Sequence, residues 1–144
     1  MGLAENIQAL NHLLGLHCRS FPQYVRWSRP HIPPGRADVL ETIEAIVDDQ
    51  DGLAERISQA VYDLGALPHT GEFPMEFTDS HDLDIEFVLN LAAHYQEQDV
   101  EAIAGIAESL QTLPSARALT EEALGMAKGH LESLRELLAS PTAG

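Results

Sequence analysis

The sequence predicts an all-α protein, a four-helix bundle in which one long crossover joins the second and third helices. Three observations predict it. The 144 residues suit one domain with a single continuous core, expected to span 1–144. Apolar residues make up 44% and aromatics only 6%, with Leu, Ala and Ile dominant, as in helix-on-helix packing. Four segments carry an apolar period of about 3.6 residues, separated by Pro and Gly.

The first segment covers about 3–27, with Ile7, Leu10, Leu14, His17, Phe21 and Tyr24 on one stripe. Pro22 removes a backbone donor inside it, so a kink or an early end is expected there. Pro30, Pro33, Pro34 and Gly35 make the following stretch a loop. The second helix is expected over about 37–64, with Leu40, Ile43, Val47 or Ile46, Gln50, Leu53 or Ala54, Ile57, Val61 and Leu64 on its stripe and Gly65 as its stop. Residues 65–80 then form a connection unusually long for a small bundle. That length is explained if the chain must travel the bundle's full height to start a helix parallel to the last one.

Asp79 or Ser80 can cap a third helix over about 81–112, with Asp82 and Asp84 near its positive end. Val88, Leu91, Tyr95, Gln98, Ala102 and Ile106 form its stripe. A tight break at Leu113-Pro114-Ser115 leads to a fourth helix over about 116–139, with Leu119, Ala123, Met126, His130, Leu134 and Leu137 on one face. The tail from Ser140 is expected to fray.

The formal net charge is −15, with only 8 Lys and Arg. Five of these, Arg19, Arg26, Arg29, Arg36 and Arg56, lie in the first half and are scattered along it. This balance disfavours a phosphate backbone or an anionic membrane as partner and permits a cation. No apolar run approaches the ~18 residues of a membrane span, and no export signal is apparent at the N-terminus. A lone cysteine, Cys18, excludes an internal disulfide and points to a reducing, cytoplasmic compartment. Cys18 lies off the stripe and reads as an inert thiol. His12, His31, His69 and His81 read as surface residues.

Each stripe carries a polar residue where a hydrophobe belongs: His17, Gln50, Gln98 and His130. Burying such groups costs a few kcal/mol each unless a partner or ligand satisfies them. Counted from the short loops, all four fall roughly 21–29 Å from the same end of the bundle, one layer near its middle. His94 and Glu97, three apart on the third helix, and the run Asp48, Asp49, Asp51 flank that layer. Carboxylates and imidazoles converging inside a bundle can hold divalent metal. The candidate ligands are His17, Asp49, His94, Glu97 and His130, with Tyr24, Gln50 and Gln98 supporting them. The plain alternative is that a histidine on a helix stripe is a hydrogen-bonded core residue, and an aspartate run a solvated face. On that alternative the chain is a metal-free helical scaffold or interaction module.

Residues 10–24, LNHLLGLHCRSFPQY, resemble the opening helix of bacterioferritins, with Leu10, Asn11, Leu13, Leu14, Gly15, Gln23 and Tyr24 in register. The segments DGLAERI (51–57) and LGALP (64–68) are similar to the end of the second helix in bacterioferritins and in DNA-protecting miniferritins. KGHLESLREL (128–137) resembles the ligand-bearing final helix, with His130 on its histidine. The resemblance implies a ferritin-like bundle, iron or another divalent metal as cofactor, Fe(II) oxidation, storage or stress protection, and a homo-oligomer. Asp51 and Glu55 match an acidic pair that belongs to an intersubunit iron site in the miniferritins. His17 stands where the family's first-helix glutamate ligand belongs. Asp49 and Gly52 stand nearest to its second-helix Glu-x-x-His pair, and Ala127 at the glutamate three before His130.

Overall fold

The computed structural model describes residues 2–80 and 83–140. Among them the chain is all-helical: α1 (Leu3–Cys18), α2 (Phe21–Ser28), α3 (Ala37–Asp63), a 3₁₀ turn (Met75–Ser80), α4 (Ile85–Ser109) and α5 (Pro114–Ala139). None of these helices is long and apolar enough to cross a membrane.

The first expected helix is two. Ser20 breaks it, its backbone extended and its hydroxyl accepting from the Gln23 amide at 3.3 Å, so α2 starts afresh with Pro22 in its first turn. α3 ends as expected, Gly65 adopting φ 81° and the Ala66 amide reaching back to the Val61 carbonyl. α4 begins at Ile85, later than expected. Asp84 caps it, accepting from the Phe87 amide at 2.9 Å, whereas Asp79 and Ser80 belong to the 3₁₀ turn, where Ser80 donates to the Phe77 carbonyl. His81 and Asp82 lie outside the described residues, as does the tail beyond Ser140.

α4 packs most extensively on α5, α1 on α3, and α3 on α5, while α1 and α4 meet more sparsely. The connection after α3 lies along α1. Asn11 holds it from both sides, its Oδ1 accepting from the His69 amide at 2.8 Å and its Nδ2 donating to the Leu67 carbonyl at 3.5 Å. Gly15 allows the approach: a Cβ there would sit 3.2 Å from the Thr70 carbonyl oxygen.

The core divides into two apolar clusters. One contains Phe21, Tyr24, Val39, Ile43, Val47, Phe77, Val88, Leu89, Ala92 and Leu134. The other contains Leu10, Leu13, Leu14, Leu53, Ile57, Val61, Ile103, Leu110, Ala123 and Ala127. Along α3 and α4 the chain passes from the first cluster to the second; along α5 it passes back. Residues 64–84 therefore return the chain from one cluster to the other.

Arg36 is the least expected core member, only 2% exposed. Its Nη1 and Nη2 donate to the carbonyls of Ser140 and Leu137 at the end of α5, and it contacts Asp38 and Glu86 at 3.3 and 3.0 Å. The guanidinium thus ties the 28–36 segment to the start of α4 and neutralises the negative end of α5. Arg36→Leu should lower the unfolding free energy by about 3 kcal/mol, read from urea unfolding followed by helical circular dichroism.

Candidate functional site

Between the two clusters lies a polar layer. His17 follows Leu13 and Leu14 by one turn on α1; Gln50 stands between Val47 and Leu53 on α3. Gln96 stands one turn past Ala92 on α4, and His130 between Ala127 and Leu134 on α5. These four, with Asp99, line a cavity of about 10 Å³, roughly the room one water needs.

His17 is buried, and its Nδ1 lies 2.8 Å from the Leu13 carbonyl. A carbonyl only accepts, so the proton sits on Nδ1 and Nε2 keeps its lone pair. Burial lowers the His17 pKa, the Leu13 hydrogen bond opposes that shift, and His130 lowers it further. His17 is therefore held neutral. His130 approaches Asp49 through Nε2, 2.8 Å from Oδ2, with Nδ1 left without a protein partner among the described residues. Each imidazole thus has one nitrogen fixed by an acceptor and one uncommitted.

The amides complete the layer. Gln50 Oε1 accepts from the Ser20 hydroxyl at 2.8 Å, so the residue that starts α2 also anchors α3. Gln96 Nε2 donates to the Ala127 carbonyl at 3.1 Å, but its Oε1 is buried with no partner among the described residues. An orphaned acceptor at a water-sized cavity marks a place for a donor or a cation. Asp99, one turn beyond Gln96, has its carboxyl pushed up to about 7 by burial.

The structure brings together three residues of the expected layer, His17, Gln50 and His130, with Asp49 behind His130. It does not bring the fourth. Gln98 is exposed and bonds His94 Nε2 at 3.1 Å. His94 is exposed too, and Glu97 faces Arg135 at 3.6 Å on the surface. The reason is a rotation of the α4 stripe: Val88, Leu89, Ala92, Gln96 and Ile103 are buried, while Leu91 and Tyr95 are half-buried. The same three- and four-residue spacing runs through Leu89, Ala92, Gln96, Asp99 and Ile103, a signal the alternative stripe obscured. Tyr24 is buried in the first cluster, its ring 5.3 Å from Phe73 and 5.7 Å from Phe77, away from the polar layer. Asp51 accepts from Gln23 at 2.9 Å and pairs with Arg26 at 3.2 Å. Glu55 is exposed on the same helix. Among the described residues, no group of three or more His, Cys, Asp or Glu is placed to hold a metal ion. The expected five-residue ligand set therefore does not converge, and what lines the cavity is a pair of imidazoles with two amides and Asp99.

Compared with family models, curated proteins and solved structures, the chain shows no match.

The two buried titrating groups pull stability in opposite directions. The folded pKa of Asp99, about 7, exceeds its ordinary 3.8. The folded state therefore holds that proton more tightly, and the penalty grows as pH rises from about 4 to about 7. The folded pKa of His17 lies below its ordinary 6.5, so its penalty grows as pH falls below that range. Asp99→Asn should be more stable than the parent near pH 8 and indistinguishable from it near pH 4, measured by urea midpoints across that range.

Proposed function

We propose that this chain is a divergent ferritin-like four-helix bundle that holds one first-row divalent ion, iron or zinc, between His17 and His130. One observation carries the reading: imidazoles from the first and last helices line a single mid-bundle cavity, each with one ring nitrogen fixed and the other uncommitted. Neutral imidazole is the form that ligates metal, and burial favours it at His17. A carboxylate behind a ligating imidazole, as Asp49 stands behind His130, orients the ring and raises its basicity. The unpartnered Gln96 oxygen offers a third, neutral donor. The long return of residues 64–84, and the neighbour order α1, α3, α5, α4, support the ferritin-like crossover topology.

The di-iron centre of bacterioferritins does not fit these residues. Such a centre needs inward carboxylates from every helix, whereas Asp49, Glu55 and Glu97 are exposed and Ala127 occupies a ligand position. A homo-oligomer belongs to the same reading, with the α3 surface that carries Asp51 and Glu55 as its candidate intersubunit face.

A second reading has its own support: the cavity is water-sized, and among the described residues no group of three or more His, Cys, Asp or Glu is placed to hold an ion, although Asp99 lines the same cavity. The layer would then be a hydrated hydrogen-bond network that fixes helix register in a scaffold protein. Anaerobic titration separates the two. With metal bound, Zn(II) and Fe(II) should raise the melting temperature at one ion per chain, Mn(II) less so. His17→Leu or His130→Leu should abolish that rise, and Asp49→Asn should weaken binding at least about tenfold. A melting temperature indifferent to all three ions, with leucine variants as stable as the parent or more so, would establish the scaffold instead.

A further inference from the structure

The acidic chain places its few cations unevenly. Of 8 Lys and Arg, three (Arg19, Arg26 and Arg29) line one cleft of about 770 Å³ between α2, the segment after it, the start of α3 and α4. That volume lies within the ~300–1,000 Å³ of small-molecule sites. The floor is apolar and belongs to the first core cluster, with Val39, Ile43, Val88 and Leu89 all buried. Two large hydrophobes also line the cleft while exposed to solvent, Trp27 at 68% and Leu40 at 42%.

The three arginines differ in their partners. Arg26 is neutralised by Asp51 and held by Gln23 Oε1. Arg19 has neutral partners only, the Gly71 carbonyl and the Thr70 hydroxyl, with its guanidinium 5.2 Å over the Phe73 ring. The Arg29 guanidinium has no hydrogen-bond or ion-pair partner among the described residues, although the chain carries 23 Asp and Glu. Arg29 is also the one non-glycine residue there with positive φ, at 49°, the left-handed conformation in which it ends α2. Glu44 is the remaining acid lining the cleft among the described residues. Arg29 further lines an adjoining cavity of about 160 Å³ beside His31. An uncommitted cation therefore borders an apolar cleft that Trp27 and Leu40 also line while exposed.

We propose that this cleft binds an amphipathic anion of the long-chain carboxylate class, its head at Arg29 and its hydrocarbon chain along Val39, Ile43, Val88 and Leu89. Apolar burial along the floor, including cover for Trp27 and Leu40, supplies affinity. The charge-assisted hydrogen bond to Arg29 selects the anion and sets its direction. The proposal is independent of the imidazole pair, which lines a separate cavity.

Trp27 is the single tryptophan, so its emission reports on the cleft directly. The intact chain is titrated with dodecanoate below its micelle concentration, and in parallel with 1-dodecanol and with dodecyltrimethylammonium. Dodecanoate should shift Trp27 emission to shorter wavelength with saturation at one molecule per chain, and the cationic analogue should bind at least about tenfold more weakly. Arg29→Gln should weaken dodecanoate about tenfold while leaving dodecanol unchanged. Leu40→Glu, at an exposed position that tolerates a charge, should remove both responses. Equal response to anion and cation, an Arg29→Gln variant that binds dodecanoate like the parent, or no saturable response at all would overturn the assignment. So would a blue shift that appears on concentrating the protein alone while light scattering shows a doubled mass, since a second copy would then fill the cleft.

Discussion

A layer of polar side chains cuts the hydrophobic core of this protein in two, and the positions of the helices follow from how that layer is satisfied. Apolar clusters alone would let helices slide, because one leucine layer packs against another with little preference for register. Here His17, Gln50, Gln96 and His130 meet at one cavity, and bonds from Ser20 to Gln50, from Gln96 to the Ala127 carbonyl and between His130 and Asp49 tie neighbouring helices at that level. Ser20 shows how far the constraint reaches. Its hydroxyl accepts from the backbone at the start of α2 and donates to Gln50 on α3, so the break between α1 and α2 and the register of α3 are one event.

The layer is not fully closed. Gln96 keeps a buried oxygen without a partner, and Asp99 sits a turn away with its proton held by burial rather than by a neighbour. Both imidazoles spend one nitrogen on orientation and keep the other free. A purely structural network would normally saturate these groups, so the unsatisfied remainder points towards a small guest, a cation or a water. The electrostatics agree with a site poised near neutrality, where His17 is uncharged.

Outside the layer, the fold is held by contacts between helices and irregular chain. Arg36 brings one cation into the interior by spending it on the exposed carbonyls at the end of α5 and on the carboxylate of Glu86. Asn11 and Gly15 do the equivalent for the long connection, one by hydrogen bonds and the other by having no side chain. In a chain this acidic, arginines that find an acid or a helix end are accounted for. Arg29 closes the C-terminus of α2 through its backbone amide, yet its guanidinium has no hydrogen-bond or ion-pair partner among the described residues.

The sequence by itself determined that the chain is helical, roughly where its main helices run and the depth at which polarity enters the core, because periodicity, Pro and Gly act locally. Leu14, His17, Gln50 and His130 were legible for that reason. The sequence did not place the break at Ser20 or the start of α4 at Ile85. It could not decide the rotation of α4. Two stripes offset by about one residue share that helix, one through Gln98 and one through Gln96, and only packing against α5 selects the second. The same choice turns His94 and Glu97 outward and Asp99 inward, and so removes ligands that spacing alone places near the site. Nor could spacing reveal that Arg19 and Arg29, at opposite ends of α2, border one apolar cleft. That follows from a short helix laid between α3 and α4, a relation that exists only once the chain has folded back on itself.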